Sequence, residues 1–214
     1  MEEAAAMPEA YATAYLNLVI EGNLRPGDTL LMHAGASGLA SVLIPMAKTL
    51  GARVITTVLS AEIGRSIAHL GADIVVDTSR QSIQEVLREQ MEQGNAVDIA
   101  IDCLGGSGMG ECLPFLSYGA RWIMIATLAG DLTQIDMRNI YVKNIRIIGS
   151  TLRSKVPKRK SEILASLVKN IWPLVEQGKI KPTVYRVLPI TKAEEAHDIL
   201  YRGENVGKVV LRVE

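Results

Sequence analysis

One segment near the start of the chain constrains the fold more than any other, because apolar runs flank a glycine-rich turn there. Residues 28–33 form a short apolar run, residues 34–38 are small, and residues 41–50 carry apolar side chains at helical spacing. A second apolar run ends at Val58. This order of strand, turn, helix and strand is typical of a βαβ unit that holds a dinucleotide. The first N–H groups of such a helix face an anion.

The turn itself carries a motif of intermediate specificity. It contains Gly35 and Gly38, with Ala40 at the place where dinucleotide motifs often carry a third glycine. A turn of this composition also joins strands to helices where no ligand binds. The turn alone therefore leaves an ordinary strand-to-helix connection open.

Charge and hydropathy narrow the class of partner. Twenty-three Lys and Arg balance 23 Asp and Glu, so no overall field favours nucleic acid or an anionic membrane. No apolar run approaches the length of about 20 residues that a bilayer requires, and the first residues, Met1-Glu2-Glu3, lack the basic and apolar parts of a signal peptide. We expect a cytoplasmic protein that binds small molecules or protein, with no nucleic acid and no membrane.

Cysteine and histidine are too sparse for a metal centre. The chain has two cysteines, Cys103 and Cys112, and three scattered histidines. This supplies neither a disulfide framework nor zinc ligands at usable spacing. We therefore expect no metal site, and we interpret Cys103 as a reduced, buried thiol at the end of a strand.

Beyond the first unit, strands and helices continue to alternate. After the two strands above, we expect strands at Ile74–Asp77, Val97–Asp102, Arg121–Ile125 and Ile145–Ser150. The intervening helices are expected at Ser82–Glu92, Glu111–Leu116 and Arg138–Lys143. Six strands separated by helices predict an α/β protein with a doubly wound parallel sheet. Its ligand cleft would lie at the turns after strands one, two, four and five.

Two further segments do not belong to this alternation. A helix is expected over Pro8–Glu21, with proline in its first turn, ahead of the first strand. After the sixth strand we expect a long helix at Ser161–Gln177, a strand at Thr183–Val187, a helix at Lys192–Tyr201 and a strand at Lys208–Val213. We therefore divide the chain into a dinucleotide-binding domain, residues 1–180, and a strand-helix-strand segment, residues 181–214.

Several blocks occur in the order found in one family. They are EEAAAMPEAYATAYLNL, PGDTLLMHAGASGLAS, AKTLGARV, HLGAD, VDIAIDCLGG, GARWIMIATLAG, RIIGSTLRS, VYRVLPITKAEEAHDIL and ENVGKVVL. On these blocks the chain resembles the medium-chain dehydrogenase/reductase family, in its zinc-free, zeta-crystallin-like quinone oxidoreductase branch. The resemblance implies a Rossmann domain, a missing N-terminal GroES-like domain that covers the nicotinamide, and a tail that normally joins that domain.

The resemblance also implies a set of coenzyme-binding residues. The main-chain N–H groups of Ser37, Gly38 and Leu39 would meet the diphosphate, and Gly35 would keep the backbone close. The remaining positions are Cys103 and Leu104 along the adenine-to-ribose stretch, Thr127, Leu128 and Leu152 beside the nicotinamide, and Asn205, which would reach the coenzyme from the tail. No catalytic residue is implied.

The choice between NADPH and NADH depends on the end of the second strand. No carboxylate stands at residues 57–60 to accept from both ribose hydroxyls, whereas Ser60 and Arg65 could bind a 2′-phosphate. We expect NADPH, with NADH possible, because the family's lysine and tyrosine are replaced here by Ile63 and Thr78. Arg80 is a candidate substitute cation or a solvated surface charge.

The implied reaction is direct hydride transfer to a quinone or an α,β-unsaturated carbonyl, which needs no metal and no catalytic triad. Without a covering domain we expect weak coenzyme binding and slow or no turnover.

The resemblance further implies a homodimer through the edge strand Ile145–Ser150. A non-catalytic NADPH-binding or interaction module remains an alternative. A methyltransferase is a more remote alternative, since no acidic residue ends the second strand.

Overall fold

The computed structural model describes residues 1–213, which form a six-stranded parallel sheet with helices on both faces and a separate two-stranded sheet. The strands of the large sheet are β1 (Thr29–Met32), β2 (Arg53–Val58), β3 (Ile74–Asp77), β4 (Val97–Asp102), β5 (Leu116–Met124) and β6 (Arg146–Gly149). They run in the order β3-β2-β1-β4-β5-β6, all parallel. The order reverses between β1 and β4, which is where such sheets bind ligands.

Helices connect the strands and also precede and follow them. They are α1 (Glu2–Ala6), α2 (Pro8–Tyr15), α3 (Ala40–Thr49), α4 (Ala61–Ser66), α5 (Ile83–Glu92), α6 (Gly108–Cys112), α7 (Met137–Lys143), α8 (Pro157–Glu176) and α9 (Ala193–Tyr201). A π-helical turn, Leu16–Glu21, continues α2, and short 3-10 turns lie at Ala68–Leu70, Leu113–Phe115 and Ile190–Lys192. The small sheet contains β7 (Val184–Pro189) and β8 (Lys208–Arg212).

Successive residues of the central strands point to opposite faces and build two apolar cores. On β1, Leu30 and Met32 join the core beneath α2, α3 and α8, whereas Leu31 joins the core beneath α5 and α6. All four residues of β1 are buried. Burial on both faces explains why the sequence of this strand is a continuous apolar run.

The doubly wound parallel sheet predicted from the sequence is confirmed, with six strands near the expected positions along the chain. β5 differs most from its expected bounds, because it begins at Leu116, where the sequence analysis ended a helix. Leu116 pairs with Val97 and Arg121 pairs with Ile99, so residues 117–120 form a bulge against β4. Gly119 has φ +75° there, and such a bulge interrupts the apolar alternation by which a strand is recognised.

The helix bounds also required correction. The helix expected over Pro8–Glu21 changes from α-helical to π-helical hydrogen bonding at Leu16. The helix expected over Glu111–Leu116 begins earlier, as α6 at Gly108–Cys112, and its end is a 3-10 turn at Leu113–Phe115. The long helix α8 begins at Pro157, four residues before its expected start, because proline is well suited to the first helical position.

The C-terminal strands pair with each other and not with the large sheet. β7 and β8 run parallel, with α9 as their crossover, and have a small core of Leu188, Ala196 and Ile199. Ile180, which precedes this unit, is buried in the core of the large sheet. No helix within residues 1–213 combines the length and apolarity needed to cross a bilayer.

Candidate functional site

The larger of two cavities beside the turn that leads into α3 lies at the carboxyl ends of β1 and β2. Its volume is about 540 Å³, within the range of pockets that hold small organic ligands. It is lined by His33, Ala34, Gly35, Ala36, Ser37, Gly38, Thr57, Val58, Leu59, Ile63, Thr78, Ile83, Leu104, Gly108, Leu200, Gly203 and Asn205. Small residues and backbone form one wall, and aliphatic side chains form most of the others.

The turn presents free N–H groups to this region. The N–H of Ser37 donates to the Ala34 carbonyl (2.9 Å), and the Ser37 hydroxyl oxygen accepts from the N–H of Ala40 (3.1 Å). The N–H groups of Gly38 and Leu39 find no acceptor within residues 1–213. Unpaired N–H groups at the start of a helix attract an anion. Two of the three N–H groups expected to meet a diphosphate are therefore free, whereas that of Ser37 is already used.

Gly35 lies against β2 with no room for a side chain. Its N–H donates to the Thr57 carbonyl (2.8 Å). A Cβ atom at Gly35 would lie 2.5 Å from Thr56 Oγ1, and this hydroxyl is itself buried and donates to the Met32 carbonyl (2.7 Å). The close approach of the turn to β2 therefore requires glycine at this position.

A buried carboxylate holds the turn after β4. Asp102 is 1% exposed; its Oδ1 accepts from the N–H groups of Leu104 (2.8 Å) and Gly105 (3.0 Å). Its Oδ2 accepts from Trp122 Nε1 (3.1 Å) on β5. Three buried donors therefore depend on one side chain. The sequence analysis did not single out Asp102, although an acidic residue at the end of an apolar strand is a usable signal.

The loop after β5 is hydrogen-bonded to the turn after β4 but remains exposed to solvent. The N–H of Leu128 donates to the Cys103 carbonyl (3.1 Å), and that of Ala129 donates to the Leu104 carbonyl (2.7 Å). The Leu128 side chain is 79% exposed, and the Thr127 hydroxyl donates to Asp131 Oδ1 (2.6 Å). Thr127 and Leu128 do not line the larger cavity.

A second cavity, of about 240 Å³, lies on the other side of Leu39. Its lining residues are Glu9, Thr13, Asn17, Leu39, Ile125, Ala126, Ser150, Thr151, Leu152 and Arg153. Two of the predicted coenzyme residues, Leu39 and Leu152, are therefore separated from the larger cavity. Ser150 Oγ and Asn17 Oδ1 are buried without a hydrogen-bond partner within residues 1–213.

The two residues expected to select the coenzyme lie beside the larger cavity and not in its lining. Ser60 caps α4, its hydroxyl oxygen accepting from the N–H of Ile63 (3.3 Å). Arg65 lies in the last turn of α4 and has no carboxylate within ion-pair distance among the described residues. Arg80 extends into solvent, 3.9 Å from Asp77. The hydroxyl of Ser60 and the guanidinium of Arg65 are thus both available to a ligand at the rim.

The C-terminal segment closes one side of the larger cavity. Asn205 lines it, with its Nδ2 donating to the Gly207 carbonyl (2.8 Å). This places Asn205 beside the glycine-rich turn and not beside Thr127. Sequence reasoning missed Lys208, whose aliphatic chain would lie 3.1 Å from a Cβ at Gly38 and whose ammonium pairs with Glu9 (3.2 Å).

The cysteines are buried, free thiols. Burial, reinforced by the charge of Asp102, raises the pKa of the Cys103 thiol to about 11. Burial, with Glu111 and Asp102, raises the pKa of Cys112 to about 12. Both therefore stay protonated near neutrality, whereas a metal requires thiolate. Within residues 1–213, no three His, Cys, Asp or Glu side chains are grouped so that they could hold a metal ion.

We expect the free energy of unfolding to decrease as the pH falls below about 6.5, the ordinary pKa of histidine. Burial lowers the pKa of His33 in the folded protein, although the charge of Asp102 opposes this. The unfolded chain therefore takes up a proton that the folded chain resists. The stabilisation that comes from keeping His33 neutral is fully present above about pH 6.5. It is lost as the pH falls from there to the lowered pKa of His33, by at most about 1.4 kcal/mol per pH unit. Urea unfolding between about pH 7.5 and pH 5 measures this slope.

The matched controls for that slope are two histidine variants. His33→Asn removes the buried titrating group, so its unfolding free energy should vary less over the same pH range. His69→Asn changes an exposed histidine and should keep the slope of the wild type. Equal slopes in wild type and His33→Asn would contradict the expectation.

Known proteins are similar to this chain in sequence and in fold. A sequence model of the family described as zinc-binding dehydrogenase matches residues 38–170, well over half of the chain. The chain is also similar to the quinone oxidoreductase-like protein 2 homolog of Nematostella vectensis, at 28% identity over 212 residues. This alignment covers 98% of the chain but 57% of that relative.

Two solved structures have the same fold. One is a NAD-dependent alcohol dehydrogenase, with a TM-score of 0.81 and 32% identity, in which the match covers 100% of this chain and 59% of the other. The second is the quinone oxidoreductase of Thermus thermophilus, solved also in complex with NADPH. Its TM-score is 0.83 at 25% identity, with 99% of this chain and 66% of the other covered. The chain thus spans about three fifths of the length of these proteins.

Proposed function

The chain belongs to the zinc-binding dehydrogenase family, within the medium-chain dehydrogenases/reductases, and from this we propose that its larger cavity binds NADPH. The observation that carries the proposal is the pair of unpaired N–H groups of Gly38 and Leu39 at the start of α3, beside a cavity of about 540 Å³. A diphosphate supplies the acceptors that these groups lack. The aliphatic walls would hold the adenosine end.

The nicotinamide end would lie on the other side of Leu39, where the second cavity is lined by Leu39 and Leu152. A dinucleotide is long enough to extend from one cavity past the turn to the other. The relative solved with NADPH supports this choice of coenzyme, whereas the relative described as NAD-dependent keeps NADH possible. The family description names zinc, but the described residues offer no fitting set of ligands.

The proposed reaction is reduction of a quinone or an α,β-unsaturated carbonyl, as the names of the quinone oxidoreductase relatives suggest. When bound, NADPH supplies the hydride. The residues of this chain would orient the coenzyme through the turn at Gly35–Leu39 and through the loops after β4, β5 and β6. Because Leu128 is 79% exposed, these loops do not exclude water by themselves, and we propose that turnover by this chain is slow.

Two measurements test the proposal. Isothermal titration calorimetry should detect saturable binding of NADPH to the 214-residue chain, and an absorbance assay with 9,10-phenanthrenequinone should show slow oxidation of NADPH. Absence of NADPH and NADH binding would overturn the dinucleotide proposal. Binding without any turnover would favour the second candidate, a non-catalytic NADPH-binding or interaction module, which the exposure of Thr127 and Leu128 supports.

Arg65 should set the preference for NADPH over NADH. We expect Arg65→Ala to weaken NADPH binding about tenfold, because it removes a charge-assisted contact to the 2′-phosphate, and to leave NADH binding unchanged. Arg80→Ala tests the substitute cation, and Arg88→Ala on α5 is the matched control. Calorimetry with both coenzymes gives the ratio of dissociation constants. If Arg65→Ala weakens the two coenzymes equally, Arg65 does not select between them.

We also propose a homodimer through the edge strand expected at Ile145–Ser150, observed as β6 (Arg146–Gly149). β6 pairs only with β5 among the described residues, and Ile147 is exposed. An apolar edge strand favours pairing with a second copy, whereas lysine blocks it. Light scattering at micromolar concentration should give the mass of two chains for the wild type and of one chain for Ile147→Lys. A monomeric wild type would contradict the proposal.

The boundary at residue 180 and a cytoplasmic location remain part of the proposal. The boundary is supported by the separate core of the β7–β8 unit, which packs on α1 as well as closing the cavity. The location is supported by the two buried, unpaired thiols, which are typical of a reducing compartment.

A further inference from the structure

The turn that would hold the diphosphate begins with a strained residue. Ala34 has φ +56°, in the left-handed region that a residue with a Cβ atom avoids. Two hydrogen bonds in which Thr57 of β2 is the acceptor stabilise this conformation. Thr57 Oγ1 accepts from the N–H of Ala34 (3.2 Å), and the Thr57 carbonyl accepts from the N–H of Gly35 (2.8 Å). The conformation of the turn therefore depends on how Thr57 is oriented.

The orientation of the Thr57 hydroxyl depends in turn on His33. Thr57 is buried, and its Oγ1 lies 3.3 Å from His33 Nδ1. A hydroxyl has one proton to donate, and Oγ1 already accepts from Ala34. If Nδ1 carries no proton, it accepts the Thr57 O–H and both groups are satisfied. The opposite tautomer would leave the buried O–H without an acceptor. The structure thus favours a neutral His33 with its proton on Nε2.

The surroundings of His33 do not favour a charged ring. Burial lowers its pKa, and the charged group whose field opposes this is Asp102, at the end of β4. Both oxygens of Asp102 are occupied by Leu104, Gly105 and Trp122. The tilted Trp122 ring lies 6.0 Å from the imidazole. The Cys103 thiol donates to the His33 carbonyl (3.9 Å).

We propose that His33 is a positioning residue for dinucleotide binding: its Nδ1 accepts the Thr57 hydroxyl proton and so fixes the Ala34–Gly35 end of the turn. The imidazole does this only while neutral, since protonated Nδ1 cannot accept. Acidification therefore leaves the Thr57 O–H without its acceptor and loosens the turn. This inference rests on the proposed function, but the contact itself is present without a coenzyme and can be tested without one.

The first test measures amide hydrogen exchange at Ala34 and Gly35 in the coenzyme-free chain. His33→Leu fills the space of the imidazole with an aliphatic side chain that has no hydrogen-bond acceptor, whereas His33→Asn places an amide oxygen near the position of Nδ1. We expect His33→Leu to speed exchange at both amides about tenfold and His33→Asn to restore most of the protection. His69→Leu, at an exposed histidine, is the control. Wild-type exchange in His33→Leu would overturn the proposal.

The second test measures the dissociation constant of NADPH by calorimetry at about pH 7.5 and pH 5.5. We expect binding about tenfold weaker in His33→Leu and in Thr57→Val, and no further loss in the double variant, because both remove the same contact. In His33→Asn the constant should depend less on pH than in the wild type. The proposal would be contradicted if the two losses of NADPH affinity multiplied in the double variant. It would also be contradicted if the dissociation constant of His33→Asn depended on pH as strongly as that of the wild type.

Imidazole ¹⁵N shifts complete the test, because a merely structural histidine has no required tautomer. We expect His33 to carry its proton on Nε2, and a proton on Nδ1 would overturn the assignment. If the wild type binds no dinucleotide, the proposed function fails, while the exchange and tautomer measurements still decide whether His33 positions the turn.

Discussion

Replacement of Asp102 by alanine should lower the free energy of unfolding by about 3–5 kcal/mol. The variant leaves the N–H groups of Leu104 and Gly105 and the indole N–H of Trp122 without their shared acceptor. Each buried donor without a partner costs about 1–3 kcal/mol, and water that enters the space would recover part of that cost. Urea denaturation followed by circular dichroism measures the change.

Two matched variants separate this loss from a general effect of removing a carboxylate. Asp131→Ala removes an exposed carboxylate that accepts from Thr127, so its effect should stay within about 0.5 kcal/mol. Asp102→Asn keeps one oxygen for the two backbone donors but turns an NH₂ group toward Trp122, so its loss should be intermediate. If Asp102→Ala were as stable as Asp131→Ala, the buried carboxylate would not be structurally required.

The second large effect is expected on coenzyme binding, from Gly35→Ala. The added methyl group would lie 2.5 Å from Thr56 Oγ1, which is buried and hydrogen-bonded. The turn must then move away from β2. Strain from overpacking of about 1–3 kcal/mol corresponds to NADPH binding weakened by about 5- to 150-fold. Calorimetry gives the dissociation constant.

A second-site substitution and a control make this test specific. Thr56→Ala removes Oγ1 and Cγ2, two of the three atoms nearest the new methyl group, and leaves Ile67 Cδ1 at 3.0 Å. Gly35→Ala combined with Thr56→Ala should therefore bind NADPH more tightly than Gly35→Ala alone. Gly64→Ala places a methyl group at ordinary contact distance from Val75 and should leave binding unchanged. Wild-type affinity in Gly35→Ala would show that the turn does not need its close approach to β2.

The parts of the fold that the sequence predicts best are those determined by local pattern. The apolar runs Leu30–Met32 in β1 and Ile99–Ile101 in β4 mark strands buried on both faces, and the bounds of these strands were located to within a residue or two. The start of β5 was not located, because the bulge around Gly119 depends on the register in which β5 pairs with β4. Register is a property of two strands that are distant in the sequence, and neither strand contains it alone.

The same distinction applies to the candidate site. Gly35 and Gly38 were located from composition, because small residues in a strand-to-helix turn have a local signature. The parts played by Thr57 and Asp102 depend on hydrogen bonds to residues of other strands or loops, for which no local pattern exists. Asn205 was expected to reach the coenzyme from the tail, and its position follows from how the β7–β8 unit packs on α1 and closes one side of the cavity.

The two tryptophans have different environments, and this gives the molecule a built-in optical probe. Trp122 is fully buried next to His33 and Asp102, whereas Trp172 on α8 is 37% exposed. A shielded indole emits at shorter wavelength than one in water, so the emission of the two residues separates by colour. A change confined to the short-wavelength component would report on the floor of the larger cavity, with no label attached to the protein.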